Sequence, residues 1–217
     1  KTKAIVLINP CNPTGRVYDA KELQALAELA IRHDLLIFSD EVYEKVVYDD
    51  AKHISIASLP GMAERTISFF AFTKAYAMDG WRLGYAVASP ALVKAMLNVT
   101  TNDVTHVSTF SQHGALEAVR NGETAVRQMN KEDRERRDNM VQALNQMPGV
   151  RCALPEGTIY AFPDVRALGK PSQQIAEEIL AETGVVVEAG SFYGAAGEGH
   201  LRLCFGAESD DRLAEAL

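Results

Sequence analysis

The run Ala4–Ile8 (AIVLI) is apolar at every position. A strand without a polar face has to be covered on both sides, and that requirement is met inside a parallel sheet, because sheets with one wet face alternate apolar and polar residues. The same character returns in Leu35–Phe38 (LLIF) and Thr66–Phe72 (TISFFAF). Between the first two lie the turn residues of Asn9 to Gly15 (NPCNPTG) and then a helical pattern. Asp19 precedes Glu22 with the spacing of a capping box, and Leu23, Leu26, Ala27 and Ala30 follow at helical period. Strand, helix and strand in that order predict a parallel α/β sheet. Gly84–Ala88 (GYAVA) reads as a fourth strand, too close behind the third for a crossover helix and therefore antiparallel or at an edge.

Further along, Ser108 to Met147 is helical with a break near Asn121-Gly122. After Pro148-Gly149 the pattern changes to short strands, at Cys152–Leu154, Tyr160–Val165, Val185–Glu188 and His200–Phe205. A helix from Ser172 to Thr183 sits among them and another starts near Glu208. The expectation is an α/β protein: part of a mostly parallel large domain over residues 1–122 and a small α+β domain over 123–217. The chain opens on a buried-type strand and stops inside an apparent helix (Asp210 to Leu217), so we expect a piece of a longer protein.

Composition narrows the function classes. The 217 residues carry a net charge of -7, which does not suit a nucleic-acid footprint of clustered Lys and Arg. The densest charged run, Lys131 to Arg137 (KEDRERR), mixes both signs and reads as a solvated helix face. Cys11, Cys152 and Cys204 are far apart with no CxxC or Cys/His spacing, as expected of reduced thiols in a cytoplasmic protein and not of a metal site. No apolar run approaches the roughly 20 residues of a membrane-spanning helix.

Chemistry gathers at the strand ends. Asn12 follows AIVLI, Asp40 follows LLIF and Lys74 follows TISFFAF. The carboxyl ends of strands in an open parallel sheet share one edge, and that is where α/β proteins place ligands. An amide, a carboxylate and an amine on one edge make a site hypothesis without any further information.

Four segments then stand out together: NPCNPTG at 9–15, SDEVYE at 39–44, FTKAYAMDGWRLGY at 72–85 and GEGHLRLCF at 197–205. In this order and spacing they resemble the signature blocks of the class I/II aminotransferases of fold type I, which depend on pyridoxal 5'-phosphate. The resemblance covers nearly the whole chain and places it in the C-terminal part of that family's sequence. It implies transamination between an amino acid and a 2-oxo acid, in a homodimer.

The resemblance also assigns roles. Lys74 takes the position of the Schiff-base lysine, which also moves a proton at the substrate α-carbon. Asp40 takes that of the aspartate pairing with the pyridine nitrogen. Tyr43 and Asn12 match the residues that contact the cofactor's phenolic oxygen, and Asn12 can also meet the substrate carboxylate. Arg82 matches the phosphate-binding arginine and Arg202 the one that binds the α-carboxylate. Taken singly, each has an ordinary explanation: a surface lysine, a turn or cap aspartate, a core tyrosine, a turn asparagine, an exposed ion pair and a solvent-facing strand residue.

One departure from the pattern concerns the phosphate. A serine often stands three residues before the lysine, where this chain has Ala71, and Thr73 offers a hydroxyl instead. Ser108 and Thr109 start a segment that approaches the partner subunit's cofactor in the family, and they are minor candidates. Tyr160 is expected to pack, and Glu41 is given no role. Two alternatives stay open: a C–S lyase or related synthase of the same fold, and a ligand-sensing domain of a transcriptional regulator. The family's N-terminal region, which supplies a glycine-containing helix start for the phosphate and an aromatic ring over the pyridine, has no counterpart here.

Overall fold

The capping box at Asp19 forms in full: its carboxylate accepts from the N–H groups of Lys21 and Glu22, and Glu22 accepts from the Asp19 N–H at 3.0 Å. These bonds satisfy amide donors that a helix start leaves without partners, and they fix where α1 (Ala20–Arg32) begins. Leu23, Ala27 and Ala30 of α1 are buried against Leu7 of β1 (Ala4–Ile8) and Ile37 of β2 (Leu36–Asp40), with Ile56 and Met62 completing the cluster. The computed structural model describes residues 1–217.

β3 (Thr66–Ala71) and β4 (Gly84–Val87) complete a four-stranded sheet of order β1-β2-β3-β4. β1, β2 and β3 are parallel, with Ile8 opposite Asp40 and Asp40 opposite Phe69, whereas β4 runs antiparallel at the edge, as its short connection demands. Three helices follow: α2 (Pro90–Asp103), α3 (Thr109–Asn121) and α4 (Glu123–Gln146). Of these, α2 was not legible in the sequence. It buries none of its residues, so it carries no clear apolar stripe, and Val99-Thr100-Thr101 is β-branched. Its start signals are Ser89 at the N-cap position, without a side-chain bond, and Pro90 in the first turn.

The residues divide into two compact units, 1–10 with 17–128 and 11–16 with 129–217. In the second, β5 (Tyr160–Ala161), β6 (Glu188–Ala189) and β7 (Leu201–Cys204) form an antiparallel sheet of order β5-β7-β6. α5 (Ser172–Thr183) contributes Ile175 to a core with Val165 and Leu201, and α6 (Asp210–Ala216) follows. The strands are shorter than their apolar patterns suggest. Tyr160–Val165 pairs regularly only at its first two residues, because Pro163 has no N–H to give to a ladder. Val185–Glu188 is reduced to Glu188–Ala189, and Cys152–Leu154 forms no strand, Arg151 making an isolated bridge to Asp164 instead.

The charged run is not a uniformly solvated face. Arg137 is 1% exposed: it donates from Nη1 to the Pro155 carbonyl at 2.9 Å and from Nε and Nη2 to Asp138. Sign alternation alone could not reveal this, because the burying partner comes from a segment 18 residues away. No helix is long and apolar enough to cross a membrane.

Candidate active site

The expected residues fall into two groups, one in each unit. In the first, Asp40 ends β2 and Lys74 lies three residues past the end of the neighbouring parallel strand β3, so both stand at the carboxyl edge of the sheet. Phe72 N–H bonds to the Leu83 carbonyl and Met78 N–H to the Phe72 carbonyl, tying the lysine turn to β4. Phe72 and Met78 are buried with Ala115 of α3 beneath this turn. The backbone after Asp40 also turns, through Glu44 N–H to Glu41 O and Val46 N–H to Tyr43 O. That turn buries Tyr43 and places its ring 5.8 Å from Nζ of Lys74.

Asp40 is half-buried, carries no ion pair and accepts a bond from the Val42 N–H at 3.3 Å. Burial pushes its carboxyl up, the Val42 N–H pulls it part of the way back, and the Glu41 charge pushes it up again. A carboxylate so placed is stabilised by a cationic partner. Thr73 is half-buried in the lysine turn. Arg82 is exposed and sits in the left-handed region at φ 52°, with Nη1 donating to the Asp79 carbonyl at 3.0 Å. Ser108 and Thr109 are exposed at the start of α3.

Glu41, which received no role from the sequence, is fully buried. Its Oε1 accepts from Ser68 at 2.7 Å and Ser55 at 2.9 Å, and its Oε2 is 3.1 Å from Nε2 of His53. Burial alone would raise this carboxyl, but His53, then Ser68 and Ser55, outweigh it and hold Glu41 below its ordinary value. The signal that could have exposed it is the doublet itself. Two successive carboxylates at a buried strand end cannot share one environment, so one of them needs partners inside.

The second group centres on Arg202 of β7. Its guanidinium donates from Nη1 to Asn12 Oδ1 at 3.2 Å and from Nη2 to Glu188 Oε1. Its guanidinium carbon stacks 4.3 Å over the ring of Tyr160 and lies 5.5 Å from that of Tyr193. Tyr160 thus packs, as expected, but under a cation. Asn12 reaches Arg202 because Gly15 pins its loop: the N–H groups of Glu156 and Gly157 both donate to the Gly15 carbonyl, at 2.9 and 2.8 Å. Gly15 has φ 69°, and a Cβ there would meet Cβ of Pro155 at 2.4 Å.

The family's sequence model, described as "Aminotransferase class I and II", matches residues 1–217. This chain belongs to the class I and II aminotransferases. It is 44% identical to the putative aminotransferase YugH of Bacillus subtilis, over all of this chain and 55% of that protein. It is 42% identical to an aspartate aminotransferase of Pyrococcus abyssi, over all of this chain and 56% of that one. Among solved structures, the aromatic aminotransferase from Pyrococcus horikoshii matches 99% of this chain and 58% of its own, with a TM-score of 0.95 at 41% identity. The aspartate aminotransferase from Thermus thermophilus with maleate matches at a TM-score of 0.91 and 36% identity, over 99% of this chain and 55% of that one. The chain therefore spans a little over half the length of the aminotransferases it matches.

The side chains available suit pyridoxal phosphate. Lys74 offers an amine to an aldehyde, and the half-buried Asp40 a charge to a protonated ring nitrogen. Tyr43 offers a hydroxyl to a phenolic oxygen, and Arg82 a planar fork to a phosphate.

Proposed function

We propose that this chain carries the lysine-bearing part of an aminotransferase that moves an amino group between an amino acid and a 2-oxo acid with pyridoxal 5'-phosphate. The observation that carries this reading is the placement of Lys74 and Asp40 at the carboxyl edge of neighbouring parallel strands, with Tyr43 against the lysine.

When bound, pyridoxal phosphate supplies an aldehyde that condenses with amines and a ring that takes up the electron pair left at the amino acid α-carbon. Lys74 would hold the group through its aldehyde, and its Nζ, when free, would take a proton from the substrate α-carbon as base and return one as acid. Asp40 keeps the ring nitrogen protonated, which its partial burial favours because the carboxylate gains a cationic partner. Tyr43 would donate to the phenolic oxygen, the contact that the family resemblance also assigns to Asn12. Arg82 and the Thr73 hydroxyl take the phosphate. Arg202, with Asn12, takes the substrate's α-carboxylate through its paired N–H groups.

We place the working protein in the cytoplasm as a homodimer. Three free cysteines support a reducing compartment. Leu97, Val99, Val104, Phe110 and Val119 on α2 and α3, and in the turn between them, are exposed apolar side chains that support an interaction face.

Borohydride reduction of the protein with pyridoxal phosphate, followed by peptide mass mapping, tests the assignment. A phosphopyridoxyl group on Lys74 is expected. Labelling of other lysines with Lys74 left unmodified would overturn it.

A further inference from the structure

Resting on the reading of Arg202 as the carboxylate-binding residue, we propose that Glu188 is an internal competitor: its carboxylate occupies Arg202 in the free protein and has to be displaced by the substrate's. Glu188 and Arg202 are directly opposite each other in the β6–β7 register, so the backbone holds the pair together. Glu188 Oε1 accepts from Nη2 of Arg202 and Asn12 Oδ1 accepts from Nη1. Both nitrogens of the forked edge that would grip a carboxylate bidentately are therefore engaged already. One flat face of the guanidinium lies on Tyr160, which fixes the plane in which its N–H groups point.

Two negative charges on one guanidinium repel, so binding requires Glu188 to move. It has somewhere to go. Its other oxygen, Oε2, accepts the Tyr193 hydroxyl at 2.5 Å, and burial followed by that bond pushes the phenol up to about 12, so Tyr193 remains a donor at neutral pH. Glu188 thus has a second partner that does not depend on Arg202. The affinity for any substrate carboxylate is set by the difference between its contacts with Arg202 and those it displaces.

The test is titration of the 217-residue chain with pyruvate, the simplest 2-oxo acid, followed through the arginine side-chain Nε–H resonances. Glu188→Gln keeps the shape and removes the charge, and is expected to lower the pyruvate Kd about fivefold or more. Glu188→Val, suited to a strand, is expected to act in the same direction and covers the case in which the Gln variant is unstable. Unchanged or weaker binding in the folded variants overturns the proposal, weaker binding meaning that Glu188 holds Arg202 ready. Adding Arg202→Leu to either variant is expected to abolish binding. Persistence of binding there would instead overturn the reading of Arg202, whatever Glu188 does.

Discussion

Glu41 Oε2 stands 3.1 Å from Nε2 of His53, and the two side chains are 1% and 12% exposed. The next residue back, Asp40, is half-buried at the sheet edge without an ion pair. One peptide bond separates a carboxylate held by interior partners from one that meets no cation. The first braces the turn on which the second depends.

Glu41 should make acid stability measurable at a single residue. Its folded carboxyl lies below its unfolded value of 4.5, so it stabilises the fold above that value and the contribution is lost as pH falls through the folded one. Glu41→Gln is expected to cost about 2 kcal/mol at pH 7, where the charge-assisted bonds from Ser68 and Ser55 and the approach to His53 are weakened. The cost should shrink as pH falls below 4.5 and approach zero only once pH lies below the folded value. Urea unfolding of both forms at pH 7 and through a series of lower pH values checks this, and equal midpoints at pH 7 would count against it.

Asp40→Asn should leave the fold intact, because Asp40 accepts only a weak bond from the Val42 N–H and pairs with no cation. In the whole protein, kcat/KM for transamination is expected to fall by a factor on the order of 10²–10³, the size usual for removing one preorganised electrostatic contact. Steady-state kinetics beside a thermal melt would separate this from unfolding. Retention of full activity would remove Asp40 from the mechanism.

Tyr160→Leu takes away the ring beneath Arg202 while keeping an apolar side chain at a buried position. A cation–π contact of this kind contributes about 0.5–2 kcal/mol, so KM for the amino acid should rise by roughly 2- to 30-fold with kcat little changed. Tyr160→Phe should behave like the parent. If the Phe variant showed the same KM increase as Leu, the hydroxyl and not the ring would be what matters.

Arg137→Lys should be destabilising although it conserves charge. The guanidinium serves the Pro155 carbonyl and Asp138 simultaneously from a buried position, a geometry one ammonium cannot reproduce. A loss of about 2 kcal/mol is expected. A melting temperature within one degree of the parent would show that the Pro155 contact is dispensable.

Much of the first unit was legible because its determinants are local. The apolar run AIVLI forms the parallel strand its pattern predicts, although it stands at the sheet edge with only Leu7 buried and Val6 69% exposed; the Asp19–Glu22 spacing set the start of α1, and the short link before Gly84 forced β4 antiparallel. The residues at the strand ends, Asp40 and Lys74, followed from the same pattern. The short strands of the second unit were harder to delimit, since regular pairing there ends at Ala161, ahead of Pro163, and depends on β7, which comes later in the chain.

What the sequence by itself determined is the family, the parallel order of strand and helix, and which residue types stand at the sheet edge, because period, capping and motif spacing are properties of neighbours along the chain. What only the tertiary structure decided is how charges are partnered. The burial of Glu41 against His53, the Pro155 carbonyl over Arg137, and the occupation of Arg202 by Glu188 on the facing strand all join residues distant in sequence. A carboxylate's role depends on what surrounds it, and surroundings are assembled by the fold.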